Sequence, residues 1–449
     1  MTPLAQLHVD ARDIFMHALR ACDIRAAFDR HLRFDGATLI RQGSPAPIHL
    51  DRFHEILVIA FGKAAGPMAT TLLDHIPPEL PVRGICSAPE VPTRHDPRIR
   101  CYAGGHPLPN IESFEAARDA LRLLHNADAG TFIFFLVSGG GSAMLEFPLG
   151  EAISLEDTVA FHQALIASGA TIGEINTVRK YFSAVKGGRL ADAAPHSEKL
   201  SLIISDVPLK DLASVASSPT LPDSSTPEQC RDILDRFHLL EAFPNPVREF
   251  FQDPGEGAGA PGLAFETWEG SPVEPASYEV LLYDEDLANA ARDHAQSLGY
   301  HAAIDNTCDD WDYREAAAHL LHRFKELRRE FPRLCLLSSG EVTVKLEGPT
   351  GCGGRNQHFA LATAFGLAKN PDESIALLSA GSDGIDGNSA AAGAVADPTT
   401  IARAHAAGID PEAALAAFDS GTLFAALGDA ILTGPTGNNL RDLRILLAT

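Results

Sequence analysis

Several apolar runs in this chain each end in a short loop of glycine, serine or acid, and this recurrence restricts the fold more than any other feature. ILVIAFG (56–62), TFIFFLV (131–137), SLIISDV (201–207), RLCLLSS (333–339) and SIALLSAGSDG (374–384) read as strands. Helix-period segments lie among them, at 63–76, about 285–298 and about 313–330. Strands alternating with helices mark βα units on a parallel sheet, so the class predicted is α/β. In open α/β sheets ligands bind outside the carboxyl ends of the strands. The loops FGKAAG, VSGGGSAM, ISDVPLKD, LSSGEVTV and LSAGSDGIDG fall at those ends.

Residues 243–277 break the alternation, being crowded with Pro and Gly and lacking any period, and are expected to form a long loop or linker. The expected division is therefore an N-terminal domain over 1–242 and a C-terminal α/β region over 278–449, in which YEVLLY and HAAI resume the strand pattern. A chain of 449 residues with 45% hydrophobic content can bury the cores of two or three domains. Its net charge of −23, unrelieved by any basic run, argues against nucleic acid and anionic membrane as partners. The seven dispersed cysteines contain no CxxC pair and point to reduced thiols, not a structural zinc or a disulfide scaffold. TFIFFLV is too short to span a bilayer, and Asp10, Arg12 and Asp13 stand where a signal peptide needs an apolar core. A cytoplasmic location is expected; the oligomeric state stays open, a homo-oligomer included.

The candidate chemistry follows from the strand-end loops. The run Ser138, Gly139, Gly140, Gly141, Ser142 lies between a strand and a helix, where backbone amides can nest phosphate oxygens. Neither established phosphate motif is met: 139–144 reads GGGSAM, not the dinucleotide fingerprint, and Gly62-Lys63 is followed by Ala64, with Leu57 where the Walker pattern needs glycine. Lys63 opens a helix, against the dipole preference unless an anion is present. Asp206, Glu341, Asp383 and Asp386 each follow a strand and are the hard oxygen donors that suit Mg²⁺ beside substrate phosphates; an Asx turn accounts equally well for any one of them. INTVRKYFSAVKGGRLA (175–191) concentrates Arg179, Lys180, Lys186 and Arg189 near Asn176 in an acidic protein, with 179 and 186 on one face if the helix runs through both. His106, before Pro107, is held extended and suits a loop role or a catalytic one. In PTGCGGRNQHFAL (349–361), glycines at 351, 353 and 354 precede Arg355 and a helix start, an arrangement that suits an anion.

Taken in order, FGKAA, GGHPLPN, VSGGGSA, NTVRKYFSAVKGGRLA, ISDV with ASSPT, GGRNQ, and SDGIDG followed by AAGA and D resemble the glycerate 2-kinase family, whose C-terminal part is the MOFRL domain, here about 330–445. Some members carry the label hydroxypyruvate reductase. The resemblance covers about residues 10–445. It implies two α/β domains, a larger Rossmann-like one and a smaller MOFRL-type one with the site in the cleft between them, and an ATP- and Mg²⁺-dependent kinase of the 2-hydroxyl of D-glycerate. The family's proposed active-site lysine and arginine match Lys63 and Arg355. On that footing Ser138–Ser142, Asn176 and Lys186 are expected to bind nucleotide phosphate. Lys63, Arg355, Asn356 and Glu341 are expected to meet substrate, and Asp206, Asp383 and Asp386 to hold magnesium, Asp206 being also a candidate to orient the reacting hydroxyl.

Several positions depart from the pattern: Lys210 and Ala390 stand where it has acids, His358 where it has Glu, Leu209, Ser218 and Ser339 where it has glycine, and Val342 where it has Thr. A kinase of a related hydroxy acid, an NAD(P)H-dependent hydroxypyruvate reductase and a non-catalytic metabolite-binding relative are the alternatives, the reductase disfavoured by the missing dinucleotide fingerprint.

Overall fold

The computed structural model describes the chain apart from residues 1, 45, 93–94, 208, 253–276, 347 and 349. It divides into two compact units, Ala27–Leu281 and a second that joins Met1–Ala26 to Leu282–Thr449.

The first unit opens with a small antiparallel sheet of β1 (Leu32–Asp35), β2 (Thr38–Arg41) and β3 (Ile48–His49). Its main sheet contains β4 (Glu55–Phe61), β5 (Val82–Ala88), β6 (Ile99–Ala103), β7 (Thr131–Ser138), β8 (Glu198–Ile204) and β9 (Ser277–Leu282), in the spatial order β6-β5-β4-β7-β8-β9. Pairings from β6 through β8 are parallel. Every residue of β7 is buried, as a strand covered on both faces requires. The order reverses between β4 and β7, which is the switch point of a doubly wound sheet and the place where a ligand crevice forms. A second core, centred on Phe161, Phe182 and Phe243, joins the helices Leu155–Ala167, Ile172–Phe182, Pro227–Arg236 and Asn245–Gln252.

The second unit carries β10 (His301–Ile304), β11 (Leu334–Gly340), β12 (Ile375–Gly381), β13 (Gly393–Ala396), β14 (Ala430–Ile431) and β15 (Asp442–Ala448), ordered β10-β11-β15-β12-β13-β14. Only β10 and β11 pair in parallel, so this sheet is mixed. Helix Arg355–Leu367 lies in the core against it through Phe359, Ala360 and Ala364.

Two expectations change. Residues 245–252 form a helix with Val247 fully buried, so part of the supposed linker folds; 253–276 lie outside the described residues. The N-terminal helix Pro3–Ala21 belongs with the C-terminal half. Its stripe Leu7, Ala11, Ile14 and Ala18 is wholly buried, Tyr300 Oη donates to Asp10 at 2.5 Å, and His8 meets Asp397 at 2.8 Å. Among the described residues no helix is long and apolar enough to cross a membrane.

Candidate active site

At the switch point the loops after β4 and β7 are latched together. The Lys63 amide donates to the Gly139 carbonyl at 2.9 Å, and the Ala64 amide donates to Ser138 Oγ at 3.0 Å. Bare glycines let three candidate side chains close around this loop. A methyl group on Gly139 would lie 2.0 Å from Asp206 Oδ2, and one on Gly140 would lie 3.0 Å from His106 Cδ2 and 3.3 Å from Lys63 Cγ. The Lys63 ammonium makes no ion pair among the described residues. Burial lowers the pKa of His106, and the charges of Lys63 and Arg179 lower it further.

Beside the loop is a cavity of about 300 Å³. Asn176, Arg179 and Ile172 from one helix form a wall at helical spacing, His162 and Ile166 from another form a second, and Ser142 and Asp206 close it from the sheet. Ser142 Oγ is 2.8 Å from Ser217 Oγ, which donates to Asn176 Oδ1 at 3.0 Å. The loop behind Ser217 is strained, since Ala216, Ser217 and Ser218 all have positive φ without being glycine.

Lys186 is not on the cavity wall, contrary to the phosphate role expected of it. The helix carrying Arg179 ends at Phe182, so 179 and 186 do not share a face. Lys186 is 1% exposed, and its Nζ donates to Glu146 Oε2 at 2.7 Å. Glu146 also accepts from Ser183 Oγ at 2.5 Å and the Phe147 amide at 2.9 Å, and pairs with His162 Nε2 at 2.9 Å. Burial alone would raise the Glu146 carboxyl, but Lys186 and His162 pull it down to about 2.

In the second unit the anion anticipated at the Arg355 helix is supplied by the protein. Asp386 accepts from the Asn356 amide at 3.0 Å and the Gln357 amide at 2.8 Å. Gly354 permits this, because a methyl group there would lie 2.3 Å from Asp386 Oδ1. Asp386 is therefore a helix cap, 2% exposed, and not an open metal ligand; burial pushes its carboxyl up to about 6 despite the two amides. The Arg355 guanidinium forks onto Asp442 at 2.6 and 3.2 Å and reaches Glu341 Oε1 at 2.6 Å. Asn356 is buried, its Oδ1 taken by Ser379 Oγ at 2.7 Å. Asp383 is half-buried and accepts from the Ile385 amide at 3.2 Å, an Asx turn. Asp386→Ala is expected to destabilise the protein by about 2 kcal/mol through loss of the cap, seen as a lower denaturant midpoint. An unchanged midpoint would show that water replaces the carboxylate without penalty.

For a divalent cation the donors are sparse. Among the described residues no three His, Cys, Asp or Glu side chains converge to hold a metal. With Asp386 engaged as a cap, Asp206 is the predicted carboxylate that lines the cavity. This donor set fits a cation that arrives with substrate phosphates and takes one or two protein carboxylates, better than a resident metal.

Asp442, Glu146 and His162 escaped the sequence reading. A carboxylate inside the apolar run AMLEFPL and a histidine inside AFHQALI were the available signals; a charge in such a setting is seldom buried without a partner.

The model of a domain of unknown function, DUF4147, matches residues 10–252, and that of the MOFRL family matches 334–442. The glycerate 2-kinase of Pyrococcus horikoshii is 33% identical over 98% of each chain. A protein of Agrobacterium vitis bearing a hydroxypyruvate reductase name is 36% identical over 87% of this chain and 86% of its own. The crystal structure of glycerate kinase from Thermotoga maritima superposes with a TM-score of 0.81 at 31% identity, covering 99% of this chain and 100% of that one. The chain belongs to the glycerate kinase family. Against the glycerate kinase pattern, the His358 departure is a packing change: the ring lies between Tyr313 and Phe418 at 4.5 and 4.9 Å between centroids. It is buried and its pKa is pushed down to about 4 by that burial. Lys210 and Ala390 are exposed, and Ser218 adopts φ 56°, the region where glycine is unstrained.

Proposed function

We propose that this protein transfers the γ-phosphoryl group of ATP to the 2-hydroxyl of D-glycerate. The observation that carries the proposal is the convergence of Lys63, Asp206 and a bare glycine loop at the switch point of a doubly wound sheet, in a chain of this family. Phosphoryl transfer runs through a loose transition state, so positioning and neutralising charge are the protein's main contributions. Lys63 faces the transferring phosphate with an ammonium unpaired among the described residues, and the amides of Gly139–Ser142 add backbone donors. Asp206 accepts a hydrogen bond from the attacking hydroxyl or takes one position on Mg²⁺. Mg²⁺, when bound with the nucleotide, would supply charge neutralisation at the phosphate oxygens. Arg355, its fork oriented by Asp442 and Glu341, keeps the anion-binding role that the family resemblance implies.

Phosphorus NMR of the protein with Mg·ATP and D-glycerate tests this. A 2-phosphoglycerate resonance growing with time is expected, with no NADH oxidation when hydroxypyruvate is offered instead. Absence of any phosphorylated hydroxy acid from folded protein would overturn the kinase reading.

A further inference from the structure

Arg179 is 9% exposed and lines the cavity beside the glycine loop. Its Nε donates to His162 Nδ1 at 3.3 Å and its Nη1 donates to Asn176 Oδ1 at 3.4 Å. Both partners are neutral, and among the described residues no carboxylate lies within ion-pair distance of the guanidinium. Buried charges are ordinarily paired, so a nearly buried cation lacking a carboxylate partner at a cavity wall calls for an anion from outside the chain.

The groups behind Arg179 leave its charge intact. Glu146 and Lys186 neutralise each other. His162 accepts from Arg179 at Nδ1, so its proton sits on Nε2 and is donated to Glu146; this tautomer is assigned from the network. The imidazole is a neutral spacer that fixes the guanidinium plane. Among the described residues Asp206 is the one acid on the cavity lining, near Lys63 and His106 around the same loop. The volume, about 300 Å³, is at the lower end for small-molecule sites and suits a short hydroxy acid better than a whole nucleotide.

We propose that Arg179 anchors the carboxylate of the hydroxy-acid substrate in this cavity, with His162 as its positioning residue. The inference rests on the kinase reading above and adds the subsite for the acceptor. A carboxylate seated on Arg179 would place the rest of a three-carbon acid toward Asp206 and the glycine loop. Asn176 and Ser142 then stand beside its hydroxyl groups as neutral hydrogen-bonding partners.

The test compares D-glycerate with its uncharged amide, glyceramide, as phosphoryl acceptors. In the unsubstituted protein glycerate should be preferred by about 10²–10³-fold in kcat/KM, the scale of losing a partner for a buried polar group. Arg179→Gln should cut that preference to below about tenfold, raising KM for glycerate while KM for ATP changes less than about threefold, and Arg179→Lys should restore part of it. A general loss of activity with the preference retained, or a rise in KM for ATP instead, would overturn the proposal. A second measurement needs no substitution and no turnover. Titrating the unsubstituted protein with D-glycerate should shift the His162 ring nitrogen resonances. Glycerate binding, established by calorimetry on the same sample, with the His162 signals unmoved would sink the anchor. If D-glycerate shifts them but no phosphorylated product forms, the subsite stands and the kinase reading falls.

Discussion

Lys63→Ala is expected to lower kcat/KM for glycerate phosphorylation by on the order of 10³-fold, the scale of losing one preorganised donor or cation at a transferring group. The change should fall mainly on kcat, because an interaction made in the transition state and not in the ground state appears there. Folding should be little affected. The side chain is half-buried, forms no ion pair among the described residues, and only its backbone amide latches the loop to Gly139. Steady-state kinetics with a thermal melt on the same sample checks both halves. A loss below about tenfold would remove Lys63 from the chemistry, since even a single general acid–base group contributes more.

Glu146→Ala should have the largest effect on stability. It strands Lys186 at 1% exposure and removes the acceptor of His162 and Ser183. Breaking a buried pair from one side costs about 3–5 kcal/mol, measured as a fall in the denaturant midpoint at unchanged slope. Acid should act on the same cluster. Glu146 is held down to about 2 against an ordinary 4.5, so its contribution is complete above pH 4.5 and lost as pH falls toward 2. His162 is pushed down to about 4 by burial, against an opposing pull from Glu146. Because the unfolded imidazole binds protons first, stability also declines as pH falls from 6.5 to 4. A Glu146→Ala variant as stable as the parent would mean that Lys186 reaches water or another acceptor.

Much of the candidate site in the first unit was legible, because a parallel strand and its following loop are contiguous in sequence. The positions of Lys63, the glycines at 139–141 and Asp206 follow from where ILVIAFG, TFIFFLV and LSLIISD end. Partners contributed from far along the chain were not. Asp442 lies 87 residues from Arg355 and inside β15, a strand whose alternation is obscured by Asp442 and Arg444. Arg444 is itself fully buried and donates to the Gly340 carbonyl, which no periodicity predicts. The same limit hid the partners of Asp386 and Lys186. A carboxylate in a glycine turn looks like a metal ligand until the helix it caps is located, and a lysine in a basic run looks solvated until a buried glutamate is found beneath it.

The allocation of residues 1–26 to the C-terminal unit has a consequence for biosynthesis. The helix Pro3–Ala21 is made early, yet Tyr300 and Asp397, which hold it, follow roughly 280 residues or more later. At synthesis rates of about 5–20 residues per second, that separation amounts to tens of seconds. Ala27–Leu281 is a contiguous stretch and can fold meanwhile, whereas the second sheet cannot close until β15 is added between β11 and β12. From the emergence of this helix until Tyr300 and Asp397 follow, the nascent chain thus carries an amphipathic helix without the partners that hold it in the folded protein.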